Sequence, residues 1–179
     1  MRQRYLMVFL CFLLDSALNA LFPAQIGTEH LYFVSCAGFC AVILNVRKMD
    51  LVDSLIMAAF AGMFYDFFYA NTPFLYLVVF VLVTLLARLW IRVINQSTIE
   101  NILLCIASIL VREALVYAYM IFFKQASMAF SAWLSSRIFL TLTVNMGIVV
   151  LLLLFSYAME NRIRQKEVRI RKEEHLHWL

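Results

Sequence analysis

Six long apolar runs, separated by short polar breaks, cover residues 5–22, 31–46, 51–70, 73–94, 99–123 and 132–158. A helix needs roughly 20 apolar residues to cross a bilayer, so each run is read as a span. The second run is short, which a bilayer accommodates by local thinning or by little tilt of the helix. Pro23 closes the first run, and Arg47 and Lys48 close the second. Asp50 and Asp53 stand at the start of the third, where Asp50 is placed to accept a bond from a first-turn N–H and both carboxylates suit the positive helix end. The pattern predicts an all-α integral membrane protein of about six transmembrane helices in residues 1–158. Residues 159–179 form a basic tail that prolongs the last helix, supported by the i,i+4 pairs Glu160–Arg164 and Glu167–Arg171.

The basic residues set an orientation. Arg2 and Arg4 precede the first run, Arg47 and Lys48 follow the second, Arg88 and Arg92 lie at the end of the fourth, and six more Lys and Arg crowd the tail after the sixth. The intervening connections carry one Lys, Lys124, and no Arg. Basic connections therefore alternate with neutral ones, which places both termini in the cytoplasm. The alternation requires an even number of spans. A cleaved signal peptide fits the first run less well, because Asp15 and Asn19 interrupt its apolar core and no A-x-A site follows.

Composition agrees. The chain is 65% hydrophobic and 15% charged, against about half and about a quarter in a soluble domain. The net charge of +4 is distributed as topology signals rather than as a nucleic-acid surface. Cys11, Cys36, Cys40 and Cys105 all lie in apolar runs without a C-x-x-C pair and read as small buried hydrophobes. His30, His175 and His177 lie outside the spans. No nucleophile elbow, zinc-protease motif or phosphate loop is present, so no enzymatic activity, metal or cofactor is expected. The tail offers a basic face to anionic membrane lipid, and Leu176, Trp178 and Leu179 offer it an apolar contact for a partner.

The informative residues are the ionisable groups inside the runs: Asp15, Asp66, Arg112, Glu113 and Arg137. Each costs several kcal/mol in hydrocarbon unless paired or hydrated, so each is expected to face the bundle interior. At about 1.5 Å per residue, Asp15 falls near the midplane and the other four share a level in the outer half. Two acids and two bases at one depth predict mutual pairing, with Asp66 bonded to Arg112 or Arg137 and Glu113 to the other. Polar and small residues recur every four positions as Ser54, Ala58, Gly62 and Asp66; as Arg137, Thr141 and Asn145; as Cys11, Asp15 and Asn19; and as Ser108 and Arg112. Such stripes let helices approach closely and hydrogen-bond. They serve either interhelical packing or a polar binding site facing a ligand or partner.

The stretch from Ala58 through Asp66 to Ala70, followed by Leu75 and Tyr76, resembles the central helix of the rod shape-determining MreD family, which carries A-F-x-x-G-L-x-x-D-x-x-x-x-x-x-x-G. Ala59, Phe60, Gly62 or its neighbours, and Asp66 match, while the later glycine is replaced in the turn formed by residues 71–74. Size, helix count, the basic tail and the Arg112–Glu113 pair midway along the fifth run agree with the family as well. The resemblance implies a non-enzymatic scaffold of the bacterial cell-elongation complex, acting in peptidoglycan synthesis with MreC, the MreB filaments, the RodA glycosyltransferase and a class B penicillin-binding protein. It also implies a fold resembling the substrate-binding component of energy-coupling-factor vitamin transporters. The alternative function is such a transporter subunit, in which the polar stripes would line a small-molecule pocket. The short outer connections, residues 23–30 and 71–73, favour the scaffold. Association of two copies is left open by the sequence.

Overall fold

The computed structural model describes residues 2–21, 34–70, 74–92, 97–124 and 129–176. The connections 23–30 and 71–73 lie outside them, as do Trp178 and Leu179. Helix α1 is Arg2–Leu21, α2 Ala37–Val46, α3 Leu51–Tyr65, α4 Leu75–Ile91 and α5 Thr98–Phe122. Helix α3 runs on into a π-helical turn, Asp66–Ala70. The last helical stretch opens as a short α6, Phe130–Trp133, passes through a second π turn, Leu134–Ile138, and continues as α7, Phe139–Leu176. No strand occurs among the described residues. Four helices are long and apolar enough to cross a membrane, over Arg4–Leu21, Leu51–Tyr69, Thr98–Phe122 and Phe139–Ala158. The second and fourth runs form the shorter apolar helices α2 and α4.

The surface is that of a protein with lipid as its solvent. Helix α1 buries Asp15 completely and turns Leu13 and Leu14 outward, half exposed. Exposed leucines and phenylalanines likewise cover the outer faces of α4, α5 and α7. In water this inversion would be costly, because apolar area would stay hydrated while a carboxylate lost its water. In hydrocarbon it is the favourable arrangement.

Helix α2 departs from the sequence expectation. The run at 31–46 was read as a span, yet its helix has ten residues, all of them buried. At 1.5 Å per residue it is about 15 Å long, roughly half the hydrocarbon thickness. It packs against α1, α3, α4, α5 and α7, so it is the centre of the bundle. Its apolar surface meets protein rather than lipid, which explains why a short helix is tolerated. Ahead of it, residues 34–36 are non-helical. Irregular backbone at membrane depth requires protein partners for its N–H and C=O groups, and these partners build the site described below.

The opposite end of α2 meets the basic residues. Arg88 Nη1 donates to the carbonyls of Val46 and Met49, each at 2.6 Å. Arg4 donates to the Lys48 carbonyl, and Lys48 Nζ donates to Ser156 Oγ at 3.1 Å. Cations at a helix C-terminus offset both the orphan carbonyls and the negative end of the dipole. Asp50 sits at the N-cap of α3 as expected, but its side chain makes no capping bond. The capping box occurs at α5 instead, where Ser97 Oγ accepts from Glu100 N–H at 3.2 Å and Glu100 accepts from Ser97 N–H at 3.1 Å.

Candidate functional site

The buried start of α2 exposes N–H donors that no helical carbonyl can meet. Two other segments, α1 and α7, supply acceptors. Asp15 of α1 accepts from Ala37 N–H at 2.8 Å, from Gly38 N–H at 2.7 Å and from the Ser35 hydroxyl. Asn145 of α7 accepts from Cys36 N–H at 2.8 Å, and its amide donates to the carbonyls of Val34 and Thr141, both at 2.7 Å. Val34 N–H donates to Thr141 Oγ1 at 3.3 Å. A carboxylate on these donors also faces the positive end of the α2 dipole, which in partly buried geometries contributes up to about 2 kcal/mol.

Beside this cap lies an ion cluster. Arg112 and Glu113 of α5 are both fully buried, and Arg112 Nη1 donates to Glu113 Oε1 at 3.1 Å and to Cys36 Sγ at 2.8 Å. Arg137, in the second π turn, donates through Nε to Glu113 Oε2 at 2.7 Å. One carboxylate thus bridges two guanidinium groups. The Arg112 guanidinium carbon also lies 5.0 Å from the Tyr65 ring centre, 5.2 Å from Tyr76, 5.6 Å from Phe39 and 6.0 Å from Phe80. This aromatic cage is contributed by α2, α3 and α4. Desolvated cation–π contacts are worth about 2 kcal/mol or more, which helps explain how Nε and Nη2 of Arg112 remain buried without a hydrogen-bond partner.

The third component joins α3 to α4. Asp66 accepts from Tyr76 N–H and Leu77 N–H, both at 2.9 Å, and so caps the start of α4. One turn earlier stands Gly62. A Cβ there would lie 2.6 Å from Leu77 Cα, 2.6 Å from the Tyr76 carbonyl oxygen and 2.8 Å from Leu77 N. All three are backbone atoms and cannot rotate aside. The missing side chain of Gly62 is therefore what brings α4 close enough for Asp66 to reach its N–H groups.

The residues singled out by sequence all converge on this half of the bundle. Asp15, Gly62, Asp66, Arg112, Glu113 and Asn145 are buried, and Arg137 is 11% exposed. The expected pairing holds for Glu113, which meets both arginines, and needs correction for Asp66. Among the described residues, both oxygens of Asp66 accept from backbone N–H groups of α4, and the ion pairs of Arg112 and Arg137 both go to Glu113. The reason is proximity: only a short connection separates Asp66 from the α4 start, whose donors require an acceptor wherever the arginines lie. Sequence reasoning missed Ser35, Cys36 and the cage aromatics. Phe39, Tyr65, Tyr76 and Phe80 carry no local signal that distinguishes a cage from ordinary core. No family model matches the chain, nor does any curated protein or solved structure.

Proposed function

We propose that the chain is a non-enzymatic scaffold of the bacterial cell-elongation machinery, with a role like that of the MreD family. It sits in the cytoplasmic membrane through six helices, both ends in the cytoplasm, and holds the transmembrane helix of an MreC-type partner. RodA, MreB and a class B penicillin-binding protein complete the assembly. One observation carries this reading. The positions through which the sequence resembles that family form a single helix–helix joint: Gly62 permits the approach of α4 and Asp66 caps it. Counted from Asp66, the later glycine of the motif falls at Phe74, whose φ is 62°, a left-handed backbone suited to glycine. The polar stripes act in the same direction, since their carboxylates and amides bond helix to helix.

The left-handed position gives a stability prediction. Phe74 is 61% exposed, so its ring contributes little packing. Phe74→Gly should stabilise the protein by about 1 kcal/mol, because the strain of a side chain in this region outweighs the added chain entropy. Thermal unfolding in detergent would show a raised midpoint; a lowered midpoint would mean that the Phe74 ring matters more than its backbone.

Arg112 favours a second reading. Two partnerless nitrogens inside an aromatic cage are also what a ligand-binding subunit of a vitamin transporter would offer an acidic small molecule. Cross-linking and pull-down of the chain from its own membranes separates the two. The scaffold reading expects MreC and no stoichiometric small molecule. A tightly held vitamin without MreC would replace it with the transporter reading.

A further inference from the structure

A cavity of about 240 Å³ opens at the basic end, between the end of α2, the first turns of α5 and the middle of α7. This is well above the ~10–15 Å³ that one water needs. Its polar lining is Arg47 and Lys48 after α2, Asn101 on α5, and Ser156 and Tyr157 on α7. No acidic side chain lines it among the described residues. Arg4 and Arg88 reach the backbone beside Lys48, so four cations converge on this corner. Two further features fix its level. Tyr157 stands one residue before the end of the α7 membrane window, where a tyrosine marks the interface. From Tyr157, Leu154 and Val150 continue along one α7 face at i−3 and i−7, 62% and 39% exposed, toward the middle of the apolar segment.

We propose that this cavity binds the phosphate headgroup of an anionic phospholipid, with an acyl chain laid along the Leu154–Val150 face. Arg47 and Lys48 supply the charge, and the Asn101 amide and Tyr157 hydroxyl supply directed hydrogen bonds to phosphate or glycerol oxygens. The cations favour a net anionic headgroup over a zwitterionic one. The inference does not depend on the scaffold reading; a protein of either function would carry this site.

The test uses the full chain, delipidated in a neutral detergent, with native mass spectrometry counting bound lipids. Phosphatidylglycerol should bind saturably, one per chain, at least tenfold tighter than phosphatidylcholine of the same acyl length. Arg47→Gln with Lys48→Gln should abolish that preference, and Arg92→Gln, an exposed cation outside the cavity, should leave it intact. Asn101→Leu, which keeps both charges, should weaken phosphatidylglycerol severalfold and covers the case in which the double variant folds poorly. Equal affinity for the two lipids, or equal weakening by Arg92→Gln, would overturn the site. Inorganic phosphate that raises the unfolding midpoint as strongly as phosphatidylglycerol, at equal concentration, would overturn the lipid as its occupant.

Discussion

Glu113→Ala should remove a large share of the protein's stability. Glu113 is fully buried and is the acceptor for both Arg112 and Arg137. Its loss leaves the fully buried Arg112 guanidinium with no anion in contact, and breaking a buried pair in this way costs about 3–5 kcal/mol. Whole domains are stable by only about 5–15 kcal/mol. Arg137 suffers less, because at 11% exposure its long side chain can turn toward the surface. Arg137→Ala should therefore be milder than Glu113→Ala, since it leaves Glu113 paired with Arg112. Glu113→Gln should fall between, keeping volume and one acceptor while losing the charge. Unfolding of the purified variants in mixed micelles measures the order, and folded yield in membranes should follow it. If Arg137→Ala were the more damaging change, the cluster would be centred on the wrong residue.

The second large effect is at Gly62. In Gly62→Ala the new methyl would meet the α4 backbone at 2.6 Å, far inside van der Waals contact. The helices must separate, and overpacking of this kind typically costs about 1–3 kcal/mol. Separation also stretches the two Asp66 bonds to α4, each charge-assisted and worth about 1.5–3 kcal/mol, so the combined loss should reach about 3 kcal/mol or more. Gly147 supplies the control within the same protein. Nothing lies within 4 Å of a Cβ built there, so Gly147→Ala should be neutral or slightly stabilising, as expected for an exposed mid-helix glycine. Thermal midpoints for the two alanine variants should separate clearly. Similar midpoints would mean that α3 and α4 can part at little cost.

The contrast between these glycines shows what the sequence could and could not reveal. The stripe Ser54, Ala58, Gly62 and Asp66 was legible because four-residue spacing fixes a helix face, and all four residues are buried. Arg137, Thr141 and Asn145 were legible for the same reason. The role of Asp66 was not. Charge attraction pointed to an arginine, but an unsatisfied helix start is as strong a demand, and a sequence shows charges more plainly than it shows vacant N–H groups. Asp15 was missed as a cap for the same reason, since the helix it caps was read as beginning several residues earlier. The half-length of α2 was hidden because composition cannot separate a helix that meets lipid from one that meets other helices; both are apolar on every side. The Ser97–Glu100 capping box could have been found from its spacing alone.

A network of buried groups binds helix to helix, with Glu113 at its centre. A double-mutant cycle tests it most directly, using unfolding free energies for Glu113→Gln, Arg137→Gln and the pair, with Asp66→Asn and Arg137→Gln as the parallel cycle. The structure predicts a coupling of at least about 1 kcal/mol between Glu113 and Arg137 and a clearly smaller one between Asp66 and Arg137. Additive behaviour of Glu113 and Arg137, or stronger coupling of Arg137 to Asp66, would contradict it.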